Sequence, residues 1–179
     1  MVSSMTDEIE CTLLGLALLM AQKVEFALYG IVAHISIKDK KFKNLTPETF
    51  LRGDLSNLKA TLGQLKNYAG EKLLLSNNDL QDFVDKRNLI VHNYWRLTKA
   101  NIKNGEELPD PEQFLRNFID ECQRWMNIFN GYVKMLMQRM ENRTNEISFG
   151  EKERQEIEVY IDHVYKNMQN INVDNNRNS

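Results

Sequence analysis

Residues 9–35 read IECTLLGLALLMAQKVEFALYGIVAHI. Ile9, Leu13, Leu16, Ala17, Met20, Val24, Ala27, Leu28, Ile31 and Ile35 recur at steps of three and four, which lays them along one stripe of an amphipathic helix over about 5–37. The residues before the stretch, Met-Val-Ser-Ser-Met-Thr-Asp-Glu, are acidic, whereas a secretory signal needs a positive start. The apolar run Leu13 to Ala21 is short for a bilayer span, and Gln22, Lys23 and Glu25 follow at once. The stretch therefore reads as a core helix of a cytoplasmic protein with no membrane segment.

The chain on its C-terminal side repeats the helical pattern. Thr46-Pro47-Glu48 is a start signal: a hydroxyl cap, a proline where no amide donor is needed, and an acid near the positive helix end. A second helix carrying Phe50, Leu51, Leu55, Leu58, Leu62, Leu65 and Tyr68 is expected to fray near Gly70. Ser76-Asn77-Asn78-Asp79 opens a third over about 79–99, and Asp110-Pro111-Glu112 opens the longest, about 111–146. Ser148-x-x-Glu151 is a capping box for a fifth, about 149–169. No run of alternating β-branched residues is long enough for a sheet. The expectation is an all-α fold, an antiparallel helical bundle of about five helices forming one domain over 1–170. The Asn-rich tail, 171–179, has few apolar partners and is expected to be loose.

Composition narrows the class of protein. The 179 residues carry a net charge of −2, against a strongly basic nucleic-acid binder but not against a local basic site. Residues 1–100 hold 13 Lys and Arg against 11 Asp and Glu, and residues 101–179 hold 10 against 14. The two cysteines, Cys11 and Cys122, have neither C-x-x-C nor zinc spacing and read as buried free thiols in a reducing compartment.

One constellation carries chemistry: Arg87-Asn88-Leu89-Ile90-Val91-His92-Asn93-Tyr94. Arg87 follows the apolar stripe of Leu80, Phe83, Val84, Val91 and Tyr94, and a charge on a core-facing stripe must find an anion or a partner. In an ideal helix Arg87 and His92 point about 140° apart at roughly 100° per residue. One helix does not aim both at a single point, but two copies related by a two-fold axis can. Histidine titrates near neutrality and serves as general acid or base, and the arginine fork fits a phosphate. Together they suit activation of a ribose 2′-hydroxyl and stabilisation of charge on phosphorus, with no metal or other cofactor.

The pattern R-N-x-x-x-H-x-Y in a small helical protein resembles the HEPN superfamily, whose hallmark is an arginine, usually followed by a polar residue, and a histidine four to six residues on. Arg87, Asn88 and His92 match those positions, and Tyr94 extends the match to the R-x4-H-x-Y form of toxins paired with nucleotidyltransferase (MNT) antitoxins. The resemblance implies a helical bundle, a homodimer with a composite site at its interface, and a metal-independent endoribonuclease of toxin–antitoxin, abortive-infection or other anti-phage systems. It would leave 2′,3′-cyclic phosphate and 5′-hydroxyl ends. His92 would be the general acid/base and Arg87 the phosphate ligand. Asn88 would orient the phosphate or the histidine, and Tyr94 would line the pocket as a site of adenylylation. RNA is the implied substrate, and a nucleotidyltransferase-type or other antitoxin the implied partner.

Each of these residues also has a plainer reading. Arg87 can be the ion-pair partner of a core carboxylate such as Glu25, His92 a satisfied core histidine, Asn88 a cross-helix hydrogen-bonding group, and Tyr94 and Trp95 core aromatics. The bundle would then be a non-catalytic module that binds a nucleotide or a protein partner. His34 suits the negative end of its helix, and His163 among Glu156, Glu158 and Asp162 reads as part of a solvated face. Met126, Met135, Met137 and Met140 read as packing. The basic loop Lys38 to Lys43 with Arg52 reads as solvated, or as a guide for an RNA backbone.

Overall fold

A computed structural model describes residues 6–35, 73–99, 107–141 and 149–177. The helix expected over 46–70, the basic loop 38–43 with Arg52, Ser148 and the side chains of His34 and Met140 lie outside the described residues.

Every described element is helical. Helix α1 (Asp7–Ile35) is followed by α2 (Asn77–Asn88), a π-helical turn (Leu89–Asn93) and α3 (Tyr94–Thr98), which make one broken rod. Helices α4 (Pro111–Glu141) and α5 (Glu151–Arg177) complete the set. The cap logic holds at two described starts. Ser76 Oγ accepts from the Asp79 amide at 3.2 Å, and Asp110 Oδ1 accepts from the Gln113 amide at 2.9 Å with Pro111 in the first turn. Helix α5 runs on to Arg177, through most of the tail that composition reads as loose.

Helix α4 is the centre. Leu115, Phe118, Cys122, Trp125, Ile128, Phe129 and Tyr132 recur at helical spacing and are buried. They meet α1 on one side and α5 on the other. From α1 come Leu13, Ala17, Val24, Leu28 and Val32, and from α2 Leu80 and Phe83, the latter stacked on Phe118 at 5.6 Å between ring centroids. These residues form one core cluster that draws on α1, the broken rod, α4 and α5.

The α4–α5 contact is close because of a glycine. A Cβ at Gly131 would run into the backbone carbonyl of Glu156 and Cβ of Tyr160. Beside it, buried Glu156 takes an ion pair from Lys134 and a hydrogen bond from Asn130 Nδ2 at 3.3 Å.

Helix α5 also holds the segment leading into α2. Tyr160 donates to the Leu73 carbonyl at 3.2 Å and Asn167 to the Leu74 carbonyl at 3.0 Å, while His163 Nε2 accepts from the Ser76 amide at 3.2 Å. His163 is buried and lies edge-on to Trp125 at 5.3 Å, so the solvated-face reading fails. Desolvation pushes its imidazole below 6.5, aided by Arg124 and Lys166 and opposed by Asp79.

Over Asp7–Val32, α1 is long and apolar enough to cross a membrane by length and composition, with a mean hydropathy of 1.5. The same helix commits two carboxylates to the bundle, Glu10 to Tyr94 and Lys99 and Glu25 to Arg87. Its apolar character on several sides leaves Leu16, Leu19 and Phe26 exposed. Cys11 is exposed as well, against the expectation of two buried thiols, whereas Cys122 is fully enclosed and burial pushes its thiol up to about 12.

Candidate functional site

The motif lies on the broken rod, and the break falls inside the motif. Helix α2 ends with Arg87 and Asn88, and the next five residues, Leu89 to Asn93, form the π-helical turn. A π turn closes its hydrogen bonds one residue further along than an α turn, so each residue advances by less than 100°. The angle between Arg87 and His92 therefore falls below the 140° of an ideal helix and brings the two closer to one face. The turn buries Ile90 and exposes Val91, His92 and Asn93.

Arg87 is held from α1. Its Nε donates to Glu25 Oε1 at 2.5 Å and its Nη2 to Glu25 Oε2 at 3.4 Å. Nη1 donates to Asn88 Oδ1 at 3.1 Å. The ion-pair reading of Arg87 is thus what the chain shows. Among the described residues it does not consume the guanidinium, because three of five N–H donors are engaged and two meet no described acceptor. The side chain keeps 28% of its exposure. Asn88 thus contacts Arg87 through its side-chain carbonyl oxygen.

Tyr94 starts α3 and is buried. Its hydroxyl donates to Glu10 Oε1 at 3.0 Å, and Glu10 Oε2 receives Lys99 at 2.7 Å. Burial, then Glu10, raises the phenol far above its ordinary range and keeps it protonated. The hydroxyl that the resemblance marks for modification is thus enclosed in the contact with α1. Arg87, Asn88 and Tyr94 all take part in fixing the broken rod to α1 or to itself, and His92 alone of the four stands exposed on the surface.

Trp95 departs from its expected place. It is 70% exposed, with Val91 at 44% one turn before it and His92 three residues before it. The core tryptophan is Trp125 instead, at 0%. Tyr94, which the stripe already places inward, and Leu97 are the buried residues of α3, and periodicity alone does not fix whether the neighbouring Trp95 is covered as well.

Among the described residues, no group of three or more His, Cys, Asp or Glu is placed to hold a metal ion. An apolar cavity of about 410 Å³ opens between α1 and α4, lined by Phe26, Ile31, Phe129, Val133 and Met137 among others. No protein-family model, curated protein or solved structure matches the chain, so the likeness to the HEPN superfamily rests on the motif and its helical setting.

Proposed function

We propose that the protein is a HEPN-type, metal-independent endoribonuclease, a cytoplasmic toxin or anti-phage effector acting as a homodimer. The observation that carries this reading is the π-helical turn between Arg87 and His92. Such turns are costly irregularities that concentrate at functional sites. This one lifts the histidine onto the surface while Glu25 and Asn88 hold the arginine in a fixed direction with two donors to spare.

In the proposed reaction an RNA phosphate sits on the free edge of Arg87. His92 takes the proton of the adjoining 2′-hydroxyl, O2′ bonds to phosphorus, and the bond from phosphorus to O5′ breaks. The departing 5′-oxygen takes a proton from an imidazolium, His92 of a second copy in a two-fold arrangement. The products are a 2′,3′-cyclic phosphate and a 5′-hydroxyl. Arg87 offsets the charge that grows on the phosphoryl oxygens. An antitoxin, of nucleotidyltransferase or other type, would restrain this activity in the cell.

The test is controlled expression in bacteria of wild type and His92→Ala, followed by growth and by total RNA integrity. Wild type should stop growth and cut RNA, leaving cyclic phosphate ends, and the variant should do neither. Intact RNA with purified wild-type dimer across a panel of single-stranded and structured RNAs would sink the proposal.

A second reading is favoured by the Arg87–Glu25 pair itself. In it Arg87 is a structural tie, and the bundle is a non-catalytic module for a nucleotide or protein partner. The two readings separate on His92→Ala, an exposed substitution that leaves the fold untouched. It abolishes function under the first and changes nothing under the second.

A further inference from the structure

The exposed face that carries His92 has a second unusual feature. Trp95 lies three residues on, about 4.5 Å further along the rod at ~1.5 Å per residue, and shares its face. A tryptophan usually finds cover in a folded protein, and this one is 70% exposed. Val91, 44% exposed and four residues before it, makes the apolar surface larger than a single stray side chain. The row then continues into polar and cationic groups: half-buried Asn88, exposed His92, and Lys99 one turn beyond Trp95, its side chain 46% exposed.

The segment Lys86 to Lys99 contains no aspartate or glutamate and four lysines or arginines, in a chain whose net charge is −2. Carboxylates from other turns and helices meet Lys86 (Asp82 and Glu121), Arg87 (Glu25) and Lys99 (Asp7 and Glu10). Arg87 nonetheless keeps two N–H donors that meet no described residue. A protein–protein interface core is depleted of charge and broadly apolar. An aromatic face set among phosphate-compatible donors is instead the composition of a single-stranded nucleic-acid platform.

We infer that Trp95 is a base-stacking residue, on which an unpaired base of single-stranded RNA lies while the neighbouring phosphate reaches Arg87 and His92. This rests on the ribonuclease reading for its choice of ligand. Stacking is sequence-tolerant, since every base has a π face, so Trp95 selects unpaired over paired RNA rather than one base over another.

The protein has two tryptophans, and Trp125 is sealed in the core, so a ligand-dependent change in emission reports on Trp95. The full chain would be titrated into a dye-labelled, 2′-O-methylated single-stranded RNA oligonucleotide, which binds without being cut, with affinity read from the anisotropy of the RNA label and stacking from tryptophan emission. The same titration would be run on Trp95→Ala, Trp95→Phe and His92→Ala. Wild-type emission should be quenched. Trp95→Ala should weaken binding by roughly 5- to 150-fold, and Trp95→Phe should retain most of it. His92→Ala should still be quenched, with affinity lowered by the loss of one phosphate contact and less than in Trp95→Ala.

Unchanged affinity in Trp95→Ala would overturn the inference, as would binding without quenching or no binding at all. A blue shift that grows with protein concentration in the absence of RNA, and is lost in Trp95→Ala, would overturn it in favour of contact between copies. Quenching without cleavage by the unmodified enzyme defeats the nuclease reading and leaves the stacking platform standing. Cleavage that survives Trp95→Ala with unaltered affinity does the reverse.

Discussion

At the scale of the residue, the candidate site is built from an ion pair and a buried hydrogen bond whose partners are distant in sequence. Glu25 and Arg87 are 62 positions apart, Glu10 and Tyr94 are 84 apart, and each pair is at least half-buried. Removing one member leaves the other with an unsatisfied charge or polar atom, which costs about 1–3 kcal/mol. Arg87→Ala and Glu25→Ala should each lower stability by about that much, and the double variant should lose less than the sum. A double-mutant cycle in urea measures this, and additivity would show that the pair contributes nothing. Tyr94→Phe should cost about 1 kcal/mol by depriving buried Glu10 of a donor.

His163 gives a pH signature. Its folded imidazole is held neutral as the acceptor of the Ser76 amide, and burial pushes it below the unfolded value of 6.5. Below pH 6.5 the unfolded chain therefore binds the extra proton and the folded chain resists it. The His163 contribution is full above pH 6.5 and is lost as the pH falls from there through the lowered folded value. Urea unfolding of wild type at pH 7.5 and pH 5 should show this loss, and His163→Phe should show a smaller difference between the two pH values. Equal differences would exclude His163 as a source.

At the scale of the element, two local irregularities do the positioning. Gly131 lets α4 and α5 approach to backbone contact, and its Cβ would strike the Glu156 carbonyl. Gly131→Ala should therefore destabilise by about 1–3 kcal/mol through overpacking, even though alanine is the better helix former. Thermal unfolding checks the sign, and a stabilised variant would mean that α5 shifts freely. The π turn is the second. It accommodates one residue more than an α turn, so deletion of exposed Asn93 should restore α geometry while Tyr94 and Leu97 keep their inward positions. The expected outcome is a folded protein, by circular dichroism, whose His92 is redirected and whose RNA cleavage is lost. Cleavage at the wild-type rate would show that the turn is incidental.

At the scale of the whole molecule, α4 gathers the core and the other helices are arranged by it. Cys122 lies in that core with its thiol pushed up to about 12, whereas Cys11 is exposed on α1. A thiol reagent should therefore modify one cysteine per chain under native conditions and the second only as the chain unfolds globally. Rapid modification of both in the native state would contradict a packed α1–α4 contact.

The helical periodicity of α1, α2 and α4, and the caps at Ser76 and Asp110, could be read without coordinates because they depend on neighbours within a turn or two. The all-α class follows from them, and the motif residues and even the Glu25 partner of Arg87 could be named in advance, since a charge on an apolar stripe demands an opposite one. What periodicity assumes is uniform winding. The π turn breaks that assumption at the motif, and periodicity does not fix how wide the covered face is: Trp95, next to the stripe residue Tyr94, is exposed, and Trp125 of α4 fills the core. His163 and Cys11 were misplaced for a related reason. Which side of a helix is covered depends on what the remaining helices bring to it, and only the packed bundle decides that.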